Sequence, residues 1–322
     1  MHYGDGYEVG EVGLLSRNIK IQGDASSESS EFGVQIIHNE ATVRLTAVEI
    51  TRAGQRNFLG RYPVHFHLSQ DVTALGSYIR DSSIHRSYQR CIVLHDTRSL
   101  TVDGNVCYDI VGHAIFLEDG PETDNVITNN LVVTGRDGSL LPHDNKPSGI
   151  WLANAQNTVE NCAVAGFDTG IWVALSERVI GLSQAKYASS DIYPRQMPLT
   201  SLRSCTVHSC RDGLMFDFGP RPDNSIEQAV FKPRPGPWDA SSYSTRSMVD
   251  TVISDIVAYK CTNLGIWSRG RRFRFLRPVI ANCKAGVNVV GSFNIEWFGH
   301  GNKPRDDDQI ERLANYIKSL EG

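Results

Sequence analysis

Histidines are concentrated in one short part of this 322-residue chain. Five of its ten histidines fall within 49 consecutive positions, and two adjacent carboxylates follow them. These residues are His65, His67, His85, His95, His113, Glu118 and Asp119. Imidazole and carboxylate groups ligate divalent metal ions and exchange protons near neutral pH. The cluster therefore indicates a metal centre or an acid–base site, or else a surface row of hydrogen-bonded imidazoles.

The segments that carry these residues repeat along the chain. Eight short segments align on a central apolar residue, and successive positions are 21 to 52 residues apart. The aligned residues are Val64, Ile92, Ile115, Ile150, Ile171, Leu214, Ile266 and Val287. The segments are β-branched or aromatic, and Asn, Asp or Gly separates them, which is typical of strands and corners. The repeat predicts an all-β fold, a right-handed parallel β-helix whose coils bury one another.

Three zones are predicted along the chain. Residues 1–33 form an entry strand and a polar loop, and residues 34–295 form the β-helix. Residues 296–322 form a tail with a short amphipathic helix, whose apolar residues from Ile310 to Leu320 have helical spacing. We expect this helix to cap the open end of the solenoid.

A β-helix places residues of successive coils side by side. Alternate side chains of a strand point in opposite directions. The predicted inward rows are Ile92–Ile115–Ile150–Ile171 and Leu94–Leu117–Leu152–Val173. The same phase turns His67, His95 and Glu118 outward, about 4.8 Å apart from coil to coil. These three are the predicted ligands of a divalent metal, Zn²⁺ or Ca²⁺. An offset of the first coil would put His65, His85 or His113 in place of His67.

The outward row also offers groups for proton transfer. The catalytic candidates are His95, His113, Glu118 and Asp119. Glycoside hydrolysis needs one protonated and one ionised carboxyl, and the adjacent carboxylates could supply them. The alternative is that Asp119, like Asp96 one coil earlier, caps a corner turn through backbone amides.

A second outward row consists of flat apolar side chains. Its aromatic rings suit stacking on sugars. The long loops 176–200 and 219–247 leave after the same strand position and would wall a groove beside the row, or would simply cover it. The predicted substrate-binding residues are Arg61, His65, Arg90, Phe116, Trp151 and Trp172.

Charge and composition narrow the choice of partner. Residues 52–98 hold seven arginines and three aspartates, a charge of +4 within a chain of net charge −4. The local field favours an anionic ligand, while the overall charge argues against nucleic acid. No apolar run reaches the roughly 20 residues of a membrane span, and the first residues do not resemble a signal peptide. Seven cysteines leave at least one unpaired, and we expect stacked, buried thiols.

Several motifs resemble the β-helix region of the cell-surface hyaluronidases, both the transmembrane and the cell-migration-inducing types. They are GRYPVHFHL (60–68), YIRDSSIHRSYQRCIVLHD (78–96), GHAIFLEDGPETDN (112–125), GSLLPHD (138–144) and NTVENCAVAGFDTGIW (157–172). Fibrocystin and its relatives share a looser version of the first three. The resemblance implies a parallel β-helix and an extracellular or cell-surface setting. For the hyaluronidase branch it implies calcium-dependent endo-cleavage of hyaluronan, an anionic polysaccharide.

Three functions remain open from the sequence. The first is an endo-acting, hyaluronidase-like glycosidase on an anionic glycan, with β-elimination as an alternative to hydrolysis. The second is a β-helix that binds such a glycan without cutting it. The third is a structural module of a surface receptor.

Overall fold

The computed structural model describes residues 8–238 and 248–296, which form a parallel β-helix. Each coil contributes one strand to each of three faces, named here A, B and C. Face A is a nine-stranded parallel sheet: β1 (Ile19–Gln22), β4 (Val48–Thr51), β7 (Ser83–His85), β10 (Val106–Val111), β13 (Leu131–Arg136), β16 (Ala163–Ala165), β19 (Thr206–His208), β24 (Val257–Tyr259) and β26 (Val279–Ala281).

Faces B and C join into one larger sheet at the end of the solenoid. Face B contains β2 (Ile36–His38), β5 (Val64–Asp71), β8 (Ile92–Arg98), β11 (Ile115–Leu117), β14 (Ser148–Leu152), β17 (Thr169–Val173) and β20 (Asp212–Phe216). Face C contains β3 (Arg44–Thr46), β6 (Tyr78–Arg80), β9 (Thr101–Asp103), β12 (Val126–Thr128), β15 (Thr158–Glu160), β18 (Ser201–Arg203) and β23 (Thr251–Ser254). The long strands β25 (Leu264–Leu276) and β27 (Ala285–Glu296) run through both faces, which makes a sheet of 16 strands.

The remaining elements are small. They are the helix α1 (Ser27–Ser30), the 3-10 turns Thr73–Leu75 and Gly181–Ser183, and the antiparallel pair β21 (Gly219–Pro220) and β22 (Ile226–Glu227). The predicted entry strand is β1, and it already pairs with β4 of face A. The polar run after it contains α1 where a loop was expected. The predicted C-terminal helix lies outside the described residues.

The predicted register of face B is confirmed. Val64 pairs with Ile92, Ile92 with Ile115 and Ile115 with Ile150. The same row continues through Ile171, Leu214, Ile266 and Val287. All residues of the two predicted inward rows lie in one buried cluster that fills the solenoid. Each coil hides its apolar residues only against its neighbours, so stacking is the main source of stability.

The corner between faces C and A explains the recurring Asn, Asp and Gly. The first residue after each of β6, β9, β12 and β15 has a positive φ, and these residues are Asp81, Gly104, Asn129 and Asn161. Gly, Asn and Asp enter this left-handed region at the least cost. The next residue points inward and stacks from coil to coil. There the amide of Asn105 donates to Asn130 Oδ1, at 3.1 Å.

Cysteines continue these buried corner rows. Cys162 and Cys205 occupy the position of Asn105 and Asn130 one and two coils further on. Five free cysteines are buried or partly buried, namely Cys162, Cys205, Cys210, Cys261 and Cys283. The expectation of stacked thiols is confirmed for them. Cys91 and Cys107 instead form a disulfide, which was the alternative to buried thiols.

Candidate functional site

A pocket lies over face B, on the outer side of β5, β8 and β11. Its volume is about 300 Å³, at the lower end of the range for small-molecule sites. Its lining residues come from these strands, from β14 and from five connecting segments: Leu59, Gly60, His65, His67, His95, Phe116, Glu118, Asp119, Leu141, His143, Trp151, Ile180, Gly181, Leu182, Pro220 and Asn224. Both long loops predicted to wall a groove therefore contribute to it.

The loop 176–200 is fastened across the pocket at two points. Asp119 accepts hydrogen bonds from the backbone N–H groups of Ile180, through its carbonyl oxygen, and of Ser183, through its carboxylate, at 3.0 and 2.9 Å. Asp96 accepts from Lys186 Nζ at 2.5 Å and from the Tyr187 hydroxyl at 2.6 Å. The two aspartates, Asp96 within β8 and Asp119 just after β11, therefore hold this loop.

His95 sits between two carboxyl groups. Its Nε2 donates to Asp119 Oδ2 at 2.8 Å, and its Nδ1 lies 3.7 Å from Glu118 Oε2. Burial alone would lower the pKa of His95, but the bond to Asp119 and the charges of Glu118 and Asp119 raise it to about 9. Burial raises the pKa of Glu118 to about 7, against the opposing effect of His95. The pair can therefore share a proton near neutral pH.

His65 presents a free lone pair to the same point. Its Nδ1 lies 3.0 Å from the carbonyl oxygen of Gly60, so the proton resides on Nδ1. Its Nε2 is buried and has no hydrogen-bond partner, like Glu118 Oε2. Burial lowers the pKa of His65 to about 3, so the ring is neutral. One ligand atom each of His65, His95 and Glu118 lies within 4.8 Å of the others.

His67 is placed beside this group rather than within it. Its strand position is opposite His95, as predicted. Its Nδ1, however, lies 3.2 Å from the side chain of Asn39 in the preceding coil, and the register shifts directly after it. The compact trio therefore contains His65, one of the alternatives to His67. His85 lies on face A and pairs with Glu49.

A second buried cluster lies behind the first. The Ser148 N–H donates to His113 Nδ1 at 3.0 Å, so the His113 proton is on Nε2, 2.9 Å from His143 Nδ1. His143 consequently carries its proton on Nε2. Asp144 Oδ1 lies 3.4 Å from His113 Nε2 and 2.6 Å from Arg90 Nη1. Burial lowers the pKa of His113 well below its usual value and that of His143 to about 4.

Comparison with known proteins places this site in a family. The model of the CEMIP beta-helix matches residues 31–214. The chain belongs to the CEMIP beta-helix family.

Three relatives illustrate the range of this family. Human cell surface hyaluronidase CEMIP2 is 32% identical over 97% of this chain and 26% of its own length. Human cell migration-inducing and hyaluronan-binding protein is 29% identical over 97% of this chain and 26% of its own length. Human fibrocystin-L is 36% identical over 88% of this chain and 6% of its own length. The chain thus spans about a quarter or less of the length of these relatives.

The pocket of this CEMIP beta-helix contains only part of the predicted substrate-binding set. His65, Phe116 and Trp151 line it. Trp172 is buried and donates its indole N–H to the Asp217 carbonyl oxygen at 2.8 Å. The predicted aromatic row is mostly a second apolar core under the loops, as the alternative held. The row faces away from the solenoid interior, but it is not an open surface.

The two predicted arginines lie elsewhere. Arg61 is exposed and follows Gly60 in the chain, outside the pocket lining. Arg90 is fully buried, with its guanidinium 4.0 Å above the Phe116 ring and its charge paired with Asp144. Neither arginine therefore lines the pocket. A buried arginine could not be distinguished from an exposed one by charge counting.

Sequence reasoning missed His143 and the loop anchors. His143 lies in GSLLPHD (138–144), a motif that the resemblance marked, so this signal could have identified it. Lys186 and Tyr187 gave no signal in the sequence, because their partner Asp96 precedes them by 90 and 91 positions. Glu122, also missed, accepts backbone N–H bonds from Asp96, Asp119 and Gly120. It therefore orders both anchor points.

Within residues 8–238 and 248–296, no helix has the length and apolar character needed to traverse a lipid bilayer.

Proposed function

We propose that this chain binds an anionic polysaccharide of the hyaluronan class in the pocket and cleaves it within the polymer, in an extracellular or cell-surface setting. The observation that carries the proposal is the meeting of His65 Nε2, His95 and Glu118 Oε2 at the pocket floor. Two of these buried polar atoms are unpaired, which is costly for a fold and typical of groups kept for a ligand.

The walls suit a sugar. His143 stacks on Trp151 with ring centroids 4.5 Å apart, and its protonated Nε2 supplies a donor for a sugar hydroxyl or carbonyl oxygen. Phe116 adds a second ring to this wall. Aromatic faces and a few placed polar groups are the usual means of orienting a small ligand. His143 is therefore assigned to binding and the trio to reaction.

Access to the floor requires a loop to move. His65, His95 and His143 are 1%, 3% and 4% exposed, which leaves no open trough for a polymer. The loop 176–200 is the natural element to open, since its anchors at Asp96 and Asp119 are polar and lie at the pocket edge. Lid opening of this kind commonly limits turnover.

The second candidate is binding without cleavage. Retaining and inverting glycosidases use two carboxyl groups across the scissile bond. Here Asp119 is engaged by His95 and by the backbone of Ser183. This leaves Glu118 as the carboxyl with an unpaired oxygen. A glycan-binding module needs no second carboxylate, and this observation favours it.

One experiment separates the two candidates. The purified chain is incubated with high-molecular-weight hyaluronan, and solution viscosity, product size and binding to immobilised hyaluronan are measured. Glu118→Gln is compared with Glu160→Gln, whose carboxylate pairs with Arg203 on face C at 2.8 Å. We expect the first variant to lose cleavage, and the second to keep both cleavage and binding.

The outcomes are distinct. Binding without any fall in viscosity for the unsubstituted chain would select the binding module. If the unsubstituted chain neither binds nor cleaves hyaluronan, the proposal is overturned. Unsaturated uronate at the new chain ends, detected by its ultraviolet absorbance, would assign elimination instead of hydrolysis.

A further inference from the structure

The pocket floor has the geometry of a metal site. We propose that His65 Nε2, His95 Nδ1 and Glu118 Oε2 bind one divalent transition-metal ion such as Zn²⁺, with its other coordination positions open to the pocket. The role of the ion in glycan binding rests on the function proposed above, but its binding does not.

The distances suit one ion. All three ligand atoms lie within 4.8 Å of one another, and His95 Nδ1 is 3.7 Å from Glu118 Oε2. Zinc bonds of about 2.0–2.1 Å place the ligand atoms of one ion roughly 3–3.5 Å apart. A small inward turn of the three side chains therefore brings them to bonding distance, with no change in the strands.

The opposite side of each imidazole is held by a second residue. His65 Nδ1 donates to the Gly60 carbonyl oxygen, and His95 Nε2 donates to Asp119. Both bonds keep a proton on the far nitrogen, so the nitrogen that faces the shared point is the one that a metal ion can take, as a free lone pair in His65 and in exchange for a proton in His95. Such outer bonds are a regular feature of metal-ligating histidines and raise their affinity. The structure therefore supplies the ligands and also the groups that orient them.

The donor set distinguishes this site from two alternatives. Two imidazoles and one carboxylate suit zinc-like ions, whereas calcium takes six to eight oxygen ligands. The calcium dependence that the family resemblance implies does not fit these three residues. The other buried group, His113, His143 and Asp144, is disfavoured, because His113 Nδ1 already accepts from Ser148 and the Arg90 guanidinium, 2.6 Å from Asp144 Oδ1, would repel a cation.

A cation here would also reconcile the pocket with its proposed ligand. The acidic lining residues are Glu118 and Asp119, which would repel a uronate. A bound divalent ion supplies positive charge and polarises a sugar oxygen. Asp119 then acts as a positioning residue, since it touches His95 and not the ion.

The test measures metal binding directly. The chain is stripped with chelator and titrated with Zn²⁺ and separately with Ca²⁺ by calorimetry, and bound metal is counted after dialysis. We expect one Zn²⁺ per chain, with Ca²⁺ failing to displace it. His65→Gln and Glu118→Gln should each weaken Zn²⁺ binding more than 100-fold, and Asp119→Asn about 10- to 100-fold. His85→Gln, on face A and away from the pocket, should change it less than threefold.

Several results would overturn the inference. They are the absence of stoichiometric Zn²⁺, an equal loss in His85→Gln, or Zn²⁺ binding that survives both His65→Gln and Glu118→Gln. Thermal melting of every variant without metal checks folding, and Co²⁺ absorption gives a second readout of the ligand set. If hyaluronan is cleaved by a chain that binds no ion, the proposed function stands and the metal inference falls. If the chain binds the metal ion but no glycan, the metal inference stands and the proposed function falls.

Discussion

Replacing Arg90 with Met should be among the most destabilising single changes in this chain. Arg90 and Asp144 are both fully buried, and their charged atoms are 2.6 Å apart. Removing one partner of such a pair leaves the other charge buried and costs about 3–5 kcal/mol. Loss of the guanidinium from the Phe116 ring, 4.0 Å away, adds about 1–2 kcal/mol. The sum, about 5 kcal/mol, is a large fraction of the stability of a typical domain.

The double variant Arg90→Met/Asp144→Asn tests the reason for this cost. It removes both charges, and Asn keeps an acceptor for the Leu141 N–H that Asp144 now binds at 3.1 Å. We expect it to be at least 2 kcal/mol more stable than Arg90→Met alone. The contact is electrostatic more than a directed hydrogen bond, because the guanidinium N–H groups are not aligned along it. A neutral pair should therefore replace it without leaving a buried charge.

The assay is equilibrium urea denaturation, with free energies compared only where the slopes agree. Arg203→Met is the matched control. Arg203 also pairs with one carboxylate, Glu160 at 2.8 Å, but its side chain is 58% exposed. The Arg203→Met substitution should lower the free energy of unfolding by less than about 1 kcal/mol. If Arg90→Met costs no more than this control, or if the double variant is less stable than the single one, the reasoning from buried charge is wrong.

Three further predictions concern the core, pH and the loop. Leu117→Ala should cost about 2–5 kcal/mol in urea denaturation, because Leu117 is fully buried in the solenoid; a cost below 1 kcal/mol would contradict the inward phase. His143 has a pKa of about 4 in the fold against about 6.5 unfolded, so below pH 6.5 the unfolded chain binds the extra proton. The neutral His143 ring contributes on the order of 3 kcal/mol to the free energy of unfolding. This contribution is present above pH 6.5 and is lost as the pH falls to 4. In His143→Phe, the drop in stability from pH 7 to pH 4 should be smaller by that amount, and an unchanged drop would contradict the assignment. Lys186→Met should weaken the attachment of loop 176–200 to Asp96 by about 1 kcal/mol and speed chymotrypsin cleavage within it about fivefold; unchanged cleavage would show that the other anchors suffice.

The register of face B was predictable because it depends on a local pattern. Ile92, Ile115 and Ile150 recur between corner residues, and shifting any strand by one position would expose its buried row. The same logic turned His95 and Glu118 to one side of the sheet. The fold class and the neighbourhood of the site therefore follow from alternation and spacing alone.

The contacts within the site depend on longer distances and on side-chain rotation. Alternation makes His65 and His67 equally outward, and both rings lie next to His95, with centroids 6.1 and 5.1 Å away. Only the contacts with the Gly60 carbonyl and the Asn39 side chain decide which ring offers a nitrogen to the trio. Arg90 was counted as a surface charge because its partner, Asp144, lies on a loop 54 positions later. Pairings of this kind leave no periodic trace in a single sequence.

Different parts of each coil stabilise the fold and form the pocket. The coils stack through their inward rows and corner amides, and these parts do not contact the pocket. Apart from Phe116 and Trp151, which lie on strands, the pocket walls come from segments inserted between strands, such as 176–200. An engineer could therefore exchange the walls of this pocket, and with them the polymer that it holds, while keeping the floor of His65, His95 and Glu118 in place.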